Sequence, residues 1–98
     1  MRRIHYGDVA ALARALMCLQ PEARAAQCLR MIREAQCAEA HRRETGQAHP
    51  LWGSGSLMEV ARRRDMAGEP GFEDAQYCAA LRLVLDCLQE TAIRQRQH

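Results

Sequence analysis

Lysine is absent from this sequence, aromatic residues are scarce, and valine, isoleucine and threonine together number only eight. All 14 basic residues are therefore arginines, which codon usage in a GC-rich genome explains more simply than selection for phosphate contacts. The shortage of β-branched residues disfavours strands, and the abundance of Ala, Leu, Arg, Glu and Gln favours helices. The composition excludes a large catalytic α/β fold, a transmembrane protein and a collagen-like chain.

The length of the chain limits it to one domain. It has 98 residues, a mass of 11.1 kDa and a formal net charge of +2. We predict a single helical domain over 1–98, with a thin core that self-association would complete. The charge is mildly basic and well below that of a dedicated DNA-binding domain.

The cysteines indicate free thiols in a reducing compartment. Their number is odd, no two form a C-x-x-C motif, and Met1–Tyr6 contains no apolar run of signal-peptide length. We therefore expect a cytoplasmic protein without a membrane segment. The five residues are Cys18, Cys28, Cys37, Cys78 and Cys87.

Apolar spacing and capping residues predict four helices. They cover 8–19, 21–45, 57–65 and 73–94. Asp8 is the expected N-cap of the first helix, and Ser56 with Glu59 matches a capping box at the start of the third. We expect the two long helices to pack antiparallel as an elongated hairpin that self-associates.

Apolar stripes mark the inner faces of these helices. The stripe of the first helix is Val9, Leu12, Ala13, Leu16 and Met17. That of the second is Ala25, Cys28, Leu29, Ile32 and Ala35. The strongest stripe lies on the last helix and supplies the candidate oligomer or partner contacts Tyr77, Leu81, Leu85 and Leu88.

The loop between the second and third helices holds the only tryptophan, among turn-forming residues. We predict that His49, Pro50, Trp52 and Gly53 form a structural loop, with the indole folded back over the core.

Candidate chemistry is weak throughout. Cys37 and His41 are four residues apart on one helix, but a structural zinc site needs four ligands, and neither Cys78 nor Cys87 has a partner at chelating spacing. A thiolate pair of a cysteine with His41 or His49 would need the fold to bring them together. No phosphate-binding or hydrolase motif is present. We therefore predict no catalytic residue, no metal and no cofactor.

Arginine clusters are the candidate DNA contacts. They are Arg62, Arg63, Arg64, Arg94 and Arg96. Contacts of this kind bind phosphates without reading bases, and a solvated surface explains the same pattern. Residues 8–32 are compatible with a degenerate helix-turn-helix and equally with any helical hairpin.

The segments Ala48–Met58, Glu69–Phe72 and Asp74–Leu81 resemble a family of short bacterial proteins that is similar to the small terminase subunits of gene transfer agents, which are phage-like particles carrying host DNA. The resemblance covers residues 7–92. It implies a non-catalytic packaging adaptor that forms an oligomeric ring, engages double-stranded DNA weakly and non-specifically, and recruits the large terminase ATPase-nuclease.

Two other classes of function remain open. One is a DNA-independent helical protein that binds a protein partner or regulates it through a groove. The other is a small thiol or metal enzyme, which the missing site motifs disfavour.

Overall fold

The computed structural model describes residues 3–96, with the backbone alone for Arg96. Its four helices are α1 (Tyr6–Met17), α2 (Pro21–Thr45), α3 (Leu57–Arg62) and α4 (Ala75–Arg96). Within 3–96 the only β-type pairing is an isolated bridge between His49 and Gly53. The predicted all-α class is therefore confirmed. Helix α3 ends three residues earlier than expected, α1 begins and ends two residues earlier, and α4 begins and ends two residues later.

Local chemistry explains the ends of the long helices. Pro21 occupies the first turn of α2, where its missing N–H costs nothing. Gly46 ends α2 with φ of +73°, and its N–H donates to the Arg42 carbonyl at 2.8 Å. Asp74 caps α4, because its Oδ1 accepts from the backbone N–H groups of Gln76 (2.9 Å) and Tyr77 (3.1 Å).

Helix α1 lies at the centre of the fold and packs against each of the other three helices. Its predicted stripe is confirmed, apart from the half-buried Met17. The α2 stripe is shifted from the predicted one: Ala25 is exposed, and Met31 is buried instead. The largest fully buried side chains are Tyr77, Leu12, Leu16, Met31, Ile32, Leu57, Val60, Val84 and Cys28.

The expected antiparallel hairpin of long helices is not what the contacts show. The Arg24 guanidinium donates to the Gln76 amide at 2.8 Å, and Cys28 lies beside Cys87. Residue numbers thus rise in the same sense along α2 and α4. The reason is that residues 46–74 do not form a short turn; they contain α3 and carry the chain back toward the start of α2.

The connection between α3 and α4 is tied to α1. The Ala67 N–H donates to the Arg14 carbonyl at 3.0 Å, and Arg14 Nε donates to the Ala67 carbonyl at 2.8 Å. The radius of gyration is 13.3 Å, close to the roughly 13 Å of a compact 100-residue domain, and the principal extents are 42 × 30 × 22 Å. No helix within 3–96 has both the length and the apolar character needed to cross a lipid bilayer.

Candidate functional site

An apolar depression lies between the start of α1 and the outer side of α4, and we refer to it as the α1/α4 groove. Its volume is about 440 Å³. Its apolar lining consists of Ile4, Tyr6, Val9, Leu81, Leu85 and Leu88, and the imidazole of His5 also lines it. Three of the four residues predicted as oligomer or partner contacts therefore line one surface.

Two side chains of the α1/α4 groove stand out into solvent. Tyr6 is 63% exposed and Leu85 is 52% exposed. A single exposed apolar residue is ordinary on a protein surface, but a contiguous set around a groove is typical of a contact surface.

Tyr77, the fourth predicted contact, lies in the core. It is only 2% exposed, since its position on α4 faces α1 rather than solvent. Burial raises the pKa of its hydroxyl, which neighbours that of Tyr6. Phe72 stacks on its ring with centroids 6.1 Å apart. Tyr77 therefore packs beneath the exposed Tyr6 and is too buried to contact a partner.

The loop around Trp52 is closed by His49. The His49 backbone pairs with that of Gly53 in both directions, at 2.8 and 3.1 Å. The Nδ1 atom of His49 accepts from the N–H groups of Leu51 (3.0 Å) and Trp52 (3.2 Å), which places its ring proton on Nε2.

The indole of Trp52 stacks on the His49 ring with centroids 4.6 Å apart, and it is half-buried against the core. The prediction that it covers the core is confirmed. Pro50 lies exposed at the tip of this loop. The four loop residues thus form a turn that is held by the backbone pairing of His49 with Gly53 and by the contacts of the His49 ring.

Asp8 joins the starts of two helices. It was expected to be the N-cap of α1, but that position belongs to His5, whose N–H donates to Asp8 Oδ2 at 2.9 Å. Asp8 Oδ1 accepts from the Met58 N–H at 3.1 Å and from the Ser56 hydroxyl at 3.4 Å. A buried carboxylate in this place is stabilised by both helix N-termini.

The predicted capping box of α3 is half formed. The Glu59 N–H donates to Ser56 Oγ at 3.3 Å, as expected. The Glu59 carboxylate instead accepts from the Ser54 N–H (2.9 Å) and hydroxyl (2.7 Å). It therefore fastens the 46–56 loop to α3 rather than closing the cap.

The arginine cluster at the end of α3 divides into two parts. Arg62 and Arg63 are exposed. Arg64 forms an ion pair with the buried Glu34, Nη1 to Oε1 at 2.9 Å and Nη2 to Oε2 at 3.0 Å. Because losing Arg64 would weaken the pairing of a buried carboxylate, its main role is structural.

The second predicted cluster lies at the end of α4. Arg94 pairs with Glu90 at 3.0 Å on the exposed face of that helix. The side chain of Arg96 lies outside the described part of the structure. Of the four candidate DNA contacts whose side chains the structure describes, only Arg62 and Arg63 are exposed and have no acidic partner among the described residues.

Two of the five thiols lie together inside the fold. Cys28 on α2 is adjacent to Cys87 on α4, and both are buried. Burial raises the pKa of each thiol, and for Cys28 the neighbouring Cys87 raises it further. Both groups are thus kept as neutral thiols, which are poor nucleophiles.

We expect alkylation of the native protein to separate these thiols. Cys18 and Cys37 are exposed and should react with iodoacetamide first, whereas Cys28 and Cys87 should react at least about a hundredfold more slowly because their modification requires opening of the core. Peptide mass spectrometry after timed quenching measures the rates, and addition of guanidinium should equalise them. Similar rates for Cys28 and Cys37 in the native protein would contradict this burial.

Cys37 and His41, whose spacing raised the question of a metal site, lie on one helix without further ligands grouped around them among the described residues. Cys37 is exposed, and His41 contacts the His49 ring with centroids 5.0 Å apart. Among the described residues, no three His, Cys, Asp or Glu side chains are grouped to hold a metal ion.

The fold and its groove define a small four-helix domain with an exposed apolar surface. The chain belongs to the family described as a domain of unknown function, DUF7742, which matches residues 2–88. No curated protein and no solved structure matches the chain.

Proposed function

We propose that this protein is a non-catalytic adaptor that self-associates through the α1/α4 groove. The resemblance to small terminase subunits extends this to DNA packaging, with weak non-specific binding of double-stranded DNA and recruitment of a large terminase subunit. The observation that carries the proposal is the grouping of Leu81, Leu85 and Leu88 with Tyr6 around one exposed apolar surface. Aromatic anchors beside aliphatic side chains are typical of binding hot spots.

The proposed self-association is tested by placing a charge in the groove. Leu85→Glu should convert an assembly of at least twice the 11.1 kDa chain mass into a monomer at about 100 µM, because an unpaired carboxylate in an apolar contact costs several kcal/mol. Sedimentation equilibrium measures the mass. Leu85 is half exposed, so we expect the variant to fold as the wild type does.

Leu51 provides the matched control. It is 63% exposed but lies in the 46–56 loop outside the groove, so Leu51→Glu should leave the mass unchanged. A wild-type protein that stays monomeric, or equal losses with both variants, would contradict self-association through the groove.

The DNA part of the proposal depends on Arg62 and Arg63. Each arginine that contacts a phosphate releases counterions, so replacing both by glutamine should lower the salt slope of binding by about 1.8. Mobility-shift titrations at several salt concentrations measure this slope. No shift at low salt with a folded protein would contradict DNA contact.

The variant Arg64→Gln tests whether Arg64 stabilises the fold, in contrast to the phosphate contacts proposed for Arg62 and Arg63. We expect it to lower the melting temperature, because Glu34 stays buried with only the longer contact to Arg30 at 3.4 Å. The Arg62 and Arg63 changes should leave the melting temperature within experimental error. If all three substitutions changed the salt slope equally, the division of this cluster would be incorrect.

A DNA-independent interaction module is the second candidate function. The observation that favours it is the engagement of Arg64 by Glu34 and of Arg94 by Glu90, which reduces the basic surface. A protein that self-associates through the groove but gives no DNA shift at low salt would support this candidate over the packaging adaptor.

A further inference from the structure

The flank of the α1/α4 groove carries two charges of opposite sign. Arg82 and Asp86 directly follow Leu81 and Leu85 on α4, so both lie to the same side of the leucine stripe, and both are exposed. Within residues 3–96 neither side chain has an ion-pair partner. In contrast, Arg30–Glu34, Glu39–Arg43 and Glu90–Arg94 form ion pairs at the same four-residue spacing.

The apolar residues beside these charges have the spacing of a helix–helix seam. Leu81, Leu85, Leu88 and Ala92 recur at intervals of four, three and four residues, which is the pattern that inserts knobs into the holes of a second helix. Leu85 protrudes at the middle of this stripe, with Leu81 and Leu88 half-buried on either side. A protruding residue next to a recess suits a surface that pairs with its own copy.

We propose that the groove binds a second copy of this chain, with the two α4 helices antiparallel and Leu85 at the two-fold axis. This arrangement rests on the self-association proposed above and specifies its geometry. It sets Arg82 level with position 88 of the second copy and Asp86 level with position 84. Arg82 is then offset from Asp86 of the second copy by two residues, about 3 Å along the axis, which a long arginine side chain spans.

A parallel arrangement fits the same surface poorly. It would place Arg82 at the height of Arg82 in the second copy, and Asp86 at the height of Asp86, so that equal charges would share each level. The antiparallel pairing instead forms the Arg82–Asp86 contact twice, once on each side of the axis. Exposed ion pairs add little affinity but discriminate between orientations, while Leu85 and Tyr6 supply the apolar contact.

Such an interface has a consequence for the assembly. A two-fold contact uses the same surface on both copies and is complete with two chains. The groove therefore builds a dimer, and a larger ring would need a second surface to join dimers.

A charge-reversal cycle tests the antiparallel geometry. Arg82→Glu and Asp86→Arg each place like charges opposite one another at two symmetric contacts, so each should raise the dimer dissociation constant about tenfold at low ionic strength. The double variant Arg82→Glu/Asp86→Arg restores opposite charges and should return within about threefold of the wild type. Sedimentation equilibrium measures the constants, and circular dichroism confirms folding.

Arg33→Glu is the control, because Arg33 is exposed on α2 and does not line the groove. It should change the dissociation constant by less than about twofold. Single variants without effect, or a double variant weaker than either single one, would overturn the antiparallel geometry. If Leu85→Glu still dissociated the protein in that case, self-association through the groove would stand. A wild-type monomer at every concentration would overturn both.

Discussion

Replacement of Asp8 by alanine is expected to lower the free energy of unfolding by about 3 kcal/mol. The carboxylate accepts hydrogen bonds from His5 at the start of α1 and from Met58 and Ser56 at the start of α3. Its removal leaves donors of two helix N-termini without an acceptor. Chemical denaturation followed by circular dichroism at 222 nm measures the loss.

A second variant separates the charge of Asp8 from its hydrogen bonds, and a variant at Asp65 is the control. Asp8→Asn keeps an acceptor oxygen but removes the charge that both helix dipoles favour, so we expect an intermediate loss. Asp65→Ala is the control, since Asp65 is exposed just beyond α3. A loss below about 1 kcal/mol for Asp8→Ala would contradict the bridging role, because even one helix cap contributes that much.

Replacement of Gly55 by alanine is expected to destabilise the protein by about 3 kcal/mol. Gly55 has φ of +103°, a conformation that residues with a side chain rarely adopt. A Cβ atom there would lie 2.8 Å from the Cβ and 3.0 Å from the Cα of Glu39 on α2. The contact with the helix backbone cannot be relieved by a side-chain rotation, so the 46–56 loop must move away from α2.

Gly68→Ala is the matched control for Gly55. Gly68 lies in an open connection, with no atom within 4 Å of an added Cβ. The substitution should therefore be neutral or slightly stabilising, because it reduces the freedom of the unfolded chain. Equal melting temperatures for the Gly55 and Gly68 variants would contradict the close packing of the loop against α2.

Asp8 and Gly55 both position the 46–56 loop, yet their importance could not be predicted in detail from the sequence. Asp8 was recognised as a residue of the α1 N-terminus, because capping preferences are local. Its second set of contacts comes from residues 56 and 58, almost fifty positions further along the chain. The φ of Gly55 and the approach of Glu39 likewise arise only when the loop meets α2.

The candidate contact surface was likewise predicted in part from the sequence and decided in part by tertiary packing. Helical spacing placed Leu81, Leu85 and Leu88 with Tyr77 on one stripe of α4. The spacing alone does not state which edge of the stripe is covered by the rest of the chain. Packing of α1 buries Tyr77 to 2% exposure and leaves Leu85 half exposed, so only the folded chain separates a core residue from a contact residue.

The sequence by itself determined the all-α class, the four helices and the ends marked by Pro21, Gly46 and Ser56, because helix propensity, apolar periodicity and these capping residues act within a few residues of one another. The tertiary structure alone decided the central place of α1, the same-sense packing of α2 and α4, and the separation of Arg64 from Arg62 and Arg63. Each of these features depends on contacts between residues that are far apart in the sequence. The buried carboxylate of Glu34 pairs with Arg64, and nothing near Arg64 in the sequence distinguishes it from Arg62 and Arg63.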